Sequence, residues 1–143
     1  KKDLALLQIV SEAIPNGIAS PIACEAPIRG EKAFTVGNPY AVLYASVGVG
    51  IVSSLQRDYG MLGLSGIADG PANDEPLMQV SSGVIGGNSG GAVYNDRGEI
   101  IGVPVRAAQV HETIGLAVPL SEIRAFLEAN KAGALFARCA APV

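Results

Sequence analysis

Short apolar runs separated by turn residues make up most of this 143-residue chain. The runs have the length of strands, and several alternate small residues with β-branched ones. Helical spacing occurs only near the C-terminus, where Ile123, Phe126 and Leu127 form an apolar stripe. Ser121 is the expected N-cap of this helix, and Gly133 is its expected end. The pattern predicts an all-β domain with one C-terminal α-helix.

Six or seven strands are expected from these runs, and glycines and prolines mark the turns between them. The first run is apolar enough to be buried on both faces. Residues 11–32 and 63–76 read as connectors, and Asp96 to Gly98 reads as a hairpin turn. The expected strands cover residues 4–10, 33–38, 45–56, 77–81, 92–95, 99–107 and 113–120.

The composition narrows the class of protein. Hydrophobic residues make up 49% of the sequence and charged residues 16%. This is enough apolar material for one buried core and too little charge for a disordered chain. The net charge of −3, with no basic stripe, argues against nucleic acid as a partner. No apolar run approaches the roughly 20 residues that a membrane span needs. Nothing in the sequence calls for a cofactor or a metal.

Cys24 and Cys139 are the two cysteines of the chain. They are either two buried thiols or a disulfide that ties an early loop to the C-terminal tail. Such a bond closes a long loop and contributes about 4–5 kcal/mol in the chain-entropy model. It would favour an oxidising compartment, secreted or periplasmic, and the sequence leaves both interpretations open.

One stretch, "GGNSGG" at residues 86–91, places Ser89 between two pairs of glycines directly before an apolar run. Glycine is used where the backbone takes a positive φ or comes close to another group. Four glycines around one hydroxyl therefore indicate a backbone that presents Ser89 for a purpose. The alternative is a tight turn that contains an incidental serine.

Four segments, in this order along the chain, resemble chymotrypsin-fold serine proteases, especially the HtrA/Deg branch and its bacterial relatives. They are "DLALLQIV" (3–10), "VGNPYAVLYASVGVGIVSSLQR" (36–57), "GNSGGAVYNDRGEIIGV" (87–103) and "IGLAVPLSEIRAFL" (114–127). The resemblance implies the second β-barrel of a double barrel plus one strand of the first. Residues 1–32 would be that strand and the inter-barrel connector, 33–120 the C-terminal barrel, and 121–143 the terminal helix and tail.

The resemblance also implies a role for individual residues. Ser89 matches the nucleophile, and the backbone N–H groups of Gly87 and Ser89 match the oxyanion hole. Asp3 matches the aspartate that orients a histidine. A serine hydroxyl needs such a base, and the tetrahedral oxyanion needs donors that are already in position. The walls of the primary specificity pocket would be Gly83, Val84, Val105, Arg106 and Ala107.

The histidine of the triad is where the sequence departs from the family. In this fold the order is histidine, aspartate, serine, and no histidine precedes Asp3. His111 is the only histidine, and it is expected to be an exposed loop residue or a residue at the pocket rim. We therefore expect a C-terminal piece of a protease, with an N-terminal piece of the same protease as the partner that supplies the base.

The expected pocket has no acidic residue, because Gly83 stands where a basic-specific relative carries an aspartate. A lysine or arginine side chain would be buried there without a counter-charge. The substrate is then a polypeptide with a small or medium apolar residue before the scissile bond, unless Arg106 crosses the pocket. The main alternative is a pseudoprotease, a binding or scaffold module, and a third is part of a self-cleaving assembly.

Overall fold

Six antiparallel strands close into a barrel in the described part of the chain. The computed structural model describes residues 3–10, 19–57, 76–107 and 114–140. Around the barrel the strand order is β1-β2-β3-β6-β5-β4. Each strand agrees with a predicted one to within two residues at either end. Their bounds are β1 Lys32–Gly37, β2 Ser46–Arg57, β3 Leu77–Val80, β4 Ala92–Tyr94, β5 Ile100–Ala107 and β6 Gly115–Pro119.

The barrel interior holds the main apolar core. Alternate residues of a strand point inward, so each strand contributes one row of side chains to it. All five residues of β6 are buried, because the outer face of the β5–β6 pair lies under the C-terminal helix. Buried members of the interior cluster include Val52, Met78, Val80, Val93, Ile101 and Ala117.

The helix α1 spans Leu120–Ala129, and its two ends differ from the prediction. Its N-cap is Pro119, without a side-chain cap, so Ser121 lies inside the first turn. The helix ends before Gly133 because Lys131 has a positive φ of 59°. Gly133 instead begins a kinked 3-10 segment, Gly133–Ala140. Both errors arise where the chain leaves β6 or turns back onto the barrel, which local propensity does not encode.

Residues 4–10 do not form the predicted strand. Leu4 packs on the cluster between the helix and the barrel, whereas the side chains of Leu7 and Val10 are 86% and 92% exposed. A strand needs a neighbour for its hydrogen bonds, and none of the six described strands pairs with this segment. The turn-rich residues 63–75 and His111 lie outside the described residues.

A disulfide between Cys24 and Cys139, with Cα atoms 5.1 Å apart, ties the segment before β1 to the C-terminal end. Arg124 of α1 lies beside it and donates to the carbonyls of Ala23, at 2.6 Å, and Cys24. The Ala23 amide in turn donates to the carbonyl of Ile100 at the start of β5. The disulfide, the helix and the barrel are thereby connected at one place.

The β4–β5 hairpin turns where the sequence predicts it, with Gly98 at φ 72°. The side-chain oxygen of Asn95 accepts from the amides of Arg97 and Glu99. The Glu99 carboxylate accepts from the side chains of Asn95, Arg97 and Arg138 at 2.8–2.9 Å. These hydrogen bonds, from Asn95 first and then from Arg138 and Arg97, hold the pKa of Glu99 at about 2.

Candidate functional site

Ser89 lies on the loop that joins β3 to β4, and its side chain is exposed. The Ser89 hydroxyl donates to the backbone carbonyl of Val105 in β5, at 3.2 Å. On the same loop, the amide of Gly90 donates to the carbonyl of Pro104 at 2.9 Å. The loop is thus attached to β5 at the serine itself, which presents the hydroxyl at the barrel surface as predicted.

The glycines of this loop satisfy two different requirements. Gly87 and Gly90 have φ of 103° and 77°, in the left-handed region that favours glycine. Gly91 is needed for space, because a Cβ there would lie 2.5 Å from the carbonyl oxygen of Val36. A Cβ on Gly87 would lie 2.9 Å from the amide nitrogen of Tyr40 and closer still to the carbonyl oxygen of Asn38. Other residues could not reproduce this backbone without strain.

Two backbone amides beside the hydroxyl are left as donors. Within the described ranges, no backbone carbonyl accepts from the N–H of Gly87 or of Ser89. The neighbouring amides are used, since Asn88 N–H donates to Ile85 and Gly91 N–H donates to Asn88, both at 3.0 Å. The N–H groups of Gly87 and Ser89, on either side of Asn88, are therefore free to donate to another group.

The loop after β1 supports the glycine loop, a contact that the sequence pattern did not predict. The backbone N–H of Tyr40 donates to the carbonyl of Gly86 at 2.7 Å, and the backbone N–H of Asn38 donates to the carbonyl of Gly87 at 3.4 Å. Three non-glycine residues in this loop, Tyr40, Ala41 and Ala45, have positive φ of 54°, 57° and 53°. Strained backbone of this kind persists only where surrounding contacts hold it. The motif Asn-Pro after β1 was the one available signal.

The predicted pocket residues fall into three groups. Gly83 is partly exposed, and a Cβ there would have no heavy atom within 4 Å, so space is open beside it. The side chain of Val84 is 1% exposed and belongs to the barrel core. Val105 contributes its carbonyl to Ser89 and its side chain to the packing beneath α1. Arg106 and Ala107 are placed only by their backbone pairing with β6, opposite Leu116 and Gly115.

The side chain of Val84 points into the barrel, so only its backbone remains available to line the expected pocket. A Cβ on Gly115 would overlap this side chain, which shows how tightly that interior is filled. Any effect of Val84 on a ligand would act through the shape of the loop.

Asp3 is exposed at the start of the described chain, and no hydrogen bond or ion pair joins it to Ser89. Its neighbour Leu4 packs in the cluster that includes the Val105 side chain. The segment with Asp3 is thus anchored by Leu4 at the cluster between α1 and the barrel. The described residues contain no group of three or more potential metal ligands.

Comparison with known proteins gives a consistent picture. A family profile described as a trypsin-like peptidase domain matches residues 1–103. Serine protease HTRA2 of Bos taurus is 35% identical over 127 residues, covering 87% of this chain and 25% of that protein. Serine protease HTRA1A of Danio rerio is 34% identical over 129 residues, covering 89% and 24%. The chain therefore spans about a quarter of the length of these relatives.

Solved structures agree with the barrel. A serine endoprotease from Yersinia pestis matches 90% of this chain and 38% of its own, with a TM-score of 0.62 and 26% identity. The HtrA-type protease AlgW, solved with a tripeptide, matches 83% of this chain and 37% of its own. Its TM-score is 0.65 at 23% identity, a likeness that concerns the fold alone. Within the described residues, no helix is long and apolar enough to cross a bilayer.

Proposed function

The chain belongs to the trypsin-like peptidases, within the HtrA/Deg branch of the chymotrypsin-fold serine proteases, and on that premise we propose that it carries the nucleophile of an endopeptidase. One observation carries the proposal most directly. Ser89 is exposed on a fixed glycine loop, and the amides of Gly87 and Ser89 have no carbonyl partner among the described residues. A hydroxyl beside two prepositioned donors is the arrangement that acyl transfer requires.

In the proposed reaction, Ser89 Oγ attacks the carbonyl carbon of a peptide bond and its proton passes to a histidine. The amides of Gly87 and Ser89 donate to the oxyanion that forms. The histidine then gives the proton to the leaving amine, and attack by water releases the acyl group from Ser89. Asp3 orients the histidine and stabilises its charged form. In the free chain the hydroxyl donates to Val105 instead.

We further propose that the histidine is supplied by an N-terminal piece of the same protease. The only histidine of this sequence, His111, follows the serine, unlike the family order. The exposed apolar side chains of residues 6–10 support a partner at this end, because Leu7 and Val10 have nothing to pack against within the described chain. Contiguous exposed apolar residues commonly mark a protein interface.

The open space beside Gly83 and the residues of its loop support a substrate class. No acidic side chain lies in the loop at residues 81–85, so a lysine or arginine would enter the pocket without a counter-charge. We propose cleavage after small or medium apolar residues. Profiling the full-length protein with a peptide library tests this, and cleavage confined to sites after lysine or arginine would contradict it.

A non-catalytic binding module is the second candidate. It is favoured by the hydrogen bond from Ser89 to a carbonyl, which is an acceptor that cannot activate the hydroxyl. Hydrolysis of a casein-type polypeptide by the full-length protein separates the two functions. The endopeptidase proposal expects Ser89→Ala to abolish hydrolysis, while Ser121→Ala, an exposed serine on α1, keeps it. Equal rates for the parent and Ser89→Ala would favour the binding module.

A further inference from the structure

Asn88 lies between the two residues whose amides remain available as donors, yet its side chain points away from the surface. It is 5% exposed, so the amide is buried within the site. The Asn88 Nδ2 donates to the carbonyl of Gly83 at 3.4 Å. The Asn88 Oδ1 is buried and has no hydrogen-bond partner among the described residues. A buried primary amide used only as a donor is uncommon, since buried polar atoms are normally paired.

The backbone of Asn88 is fixed at two further points. Its N–H donates to the carbonyl of Ile85, and its carbonyl accepts from the N–H of Gly91, both at 3.0 Å. Together with the bond to Gly83, these contacts attach Asn88 to both ends of the loop. The peptide units on either side of Asn88 are therefore held in place through this one residue.

Strand β1 is shaped to receive the Asn88 side chain. A Cβ on Gly37, the last residue of β1, would lie 2.9 Å from the Asn88 Cα and would overlap its Oδ1. Gly37 has an ordinary φ, so its requirement is for space and not for an unusual backbone. Asn88 thus joins the end of β1 to Gly83, the residue with open space beside it.

We propose that Asn88 is a positioning residue, which acts through the Gly83 carbonyl and against Gly37 to aim the amides of Gly87 and Ser89. The inference rests on the proposed role of Ser89 as the nucleophile. Asn88 touches neither substrate nor reacting atoms, so its effect is on geometry. A displacement of about 1 Å in such donors lowers a catalytic rate by about 100-fold. The loss should therefore appear in kcat, with KM nearly unchanged.

Asn88→Asp, in the full-length protein, gives the sharpest test. The carboxylate has the shape of the amide but cannot donate to the Gly83 carbonyl, and it is unfavourable in a buried site. Burial raises the pKa of such a carboxyl, and the protonated form regains the lost donor. The ratio of the Asn88→Asp rate to the parent rate should then rise at least tenfold as the pH falls from about 8 to about 5. Dividing by the parent rate removes the titration of the catalytic base.

Other charges do not complicate this pH dependence within the described structure. Residues 33–37 of β1 and residues 83–91 of the loop contain no ionisable side chain. The loop after β1 contributes only the phenols of Tyr40 and Tyr44, which are both exposed. For Asn88→Ala, which has no titrating group, we expect kcat to be lower by 10- to 100-fold at every pH.

Gly37→Ala changes the other partner of the contact between Gly37 and Asn88. It should lower kcat and leave KM nearly unchanged. Gly133→Ala is the matched control, because its Cβ meets only an ordinary contact at 3.8 Å, far from the loop in the sequence.

A pH-independent Asn88→Asp ratio, or parental kcat in either Asn88→Ala or Gly37→Ala, would overturn the inference. If Ser89→Ala itself retains hydrolysis, the proposed function has failed instead. Circular dichroism of each variant identifies any that do not fold, and the remaining variants decide.

Discussion

At the scale of single residues, the loop around Ser89 is rich in glycine, yet hydrogen bonds and close contacts hold its backbone in one conformation. Gly87 and Gly90 supply left-handed conformations, while Gly91 and Gly37 supply room for neighbouring backbone. The exposed position of Ser89 was predictable from the sequence, because a glycine-rich loop around one hydroxyl indicates a backbone that presents it. The role of Gly87 was expected from the family resemblance. The contact between Asn88 and Gly37 was not predictable, since it joins segments far apart in the chain.

Gly87→Ala is the residue-scale prediction. The new Cβ would meet Asn38 and Tyr40 at a φ that alanine rarely adopts, so the Gly87 amide should turn away from the oxyanion. We expect kcat to fall by about 100- to 1000-fold, the effect of losing one such donor. Steady-state kinetics on a peptide substrate measure it.

Gly86→Ala is the control for that change, because a Cβ there has no heavy atom within 4 Å and its φ lies outside the left-handed region. It should keep most of the parent activity. A Gly87→Ala variant with parental kcat would show that this amide is not one of the oxyanion donors.

At the scale of elements, the hydrophobic pattern predicts the barrel strands well and the chain ends poorly. Strands β1, β2 and β4 alternate between more and less buried positions, whereas β6 is buried throughout, and short apolar runs of both kinds indicate strands. Residues 4–10 show the same apolar character but form no strand, because pairing depends on a neighbour that composition does not reveal. The helix start at Leu120 was missed for a related reason, since Pro119 belongs to β6 and to the N-cap at once.

The β4–β5 hairpin gives the element-scale prediction. The pKa of Glu99 is held at about 2, below the ordinary 4.5, by hydrogen bonds from Asn95, Arg138 and Arg97. A lowered pKa means that the charged form stabilises the fold above about pH 4.5. That contribution is lost as the pH falls through about 2. We expect the free energy of unfolding to decline across this window.

Glu99→Gln should flatten the decline, by on the order of 1 kcal/mol once solvent screening of the arginine partners is allowed for. Urea titrations at several pH values measure the difference. Glu128→Gln, which removes an exposed carboxylate on α1, is the control. If Glu99→Gln and the parent lose stability in parallel below pH 4.5, the hairpin carboxylate contributes nothing to the pH dependence.

At the scale of the whole molecule, one disulfide joins the segment before the barrel to the segment after α1. The disulfide spans a separation of 115 residues and lies where Arg124 also connects α1 to the segment before β1. The sequence left this pairing open against two free thiols, because two cysteines carry no information about which surfaces meet. The arginine contacts were equally invisible, since they are made to backbone carbonyls.

Reduction of this disulfide should destabilise the protein strongly. A loop of this length gives about 4–5 kcal/mol in the chain-entropy model, which corresponds to a fall in Tm of roughly 10–20 °C. Thermal melts with and without a reductant measure it, and Cys24→Ser with Cys139→Ser should melt low in both conditions. A parent Tm that does not respond to reductant would contradict the stabilising role.

The central claim is that Ser89 is a nucleophile whose base lies on residues other than this barrel. The most direct measurement is fluorophosphonate labelling of the full-length protein, followed by peptide mapping. The account predicts a single label on Ser89 that disappears in Ser89→Ala and when an N-terminal histidine is replaced by alanine. An unlabelled Ser89 in folded full-length protein, or labelling that survives loss of every histidine outside the barrel, would contradict it.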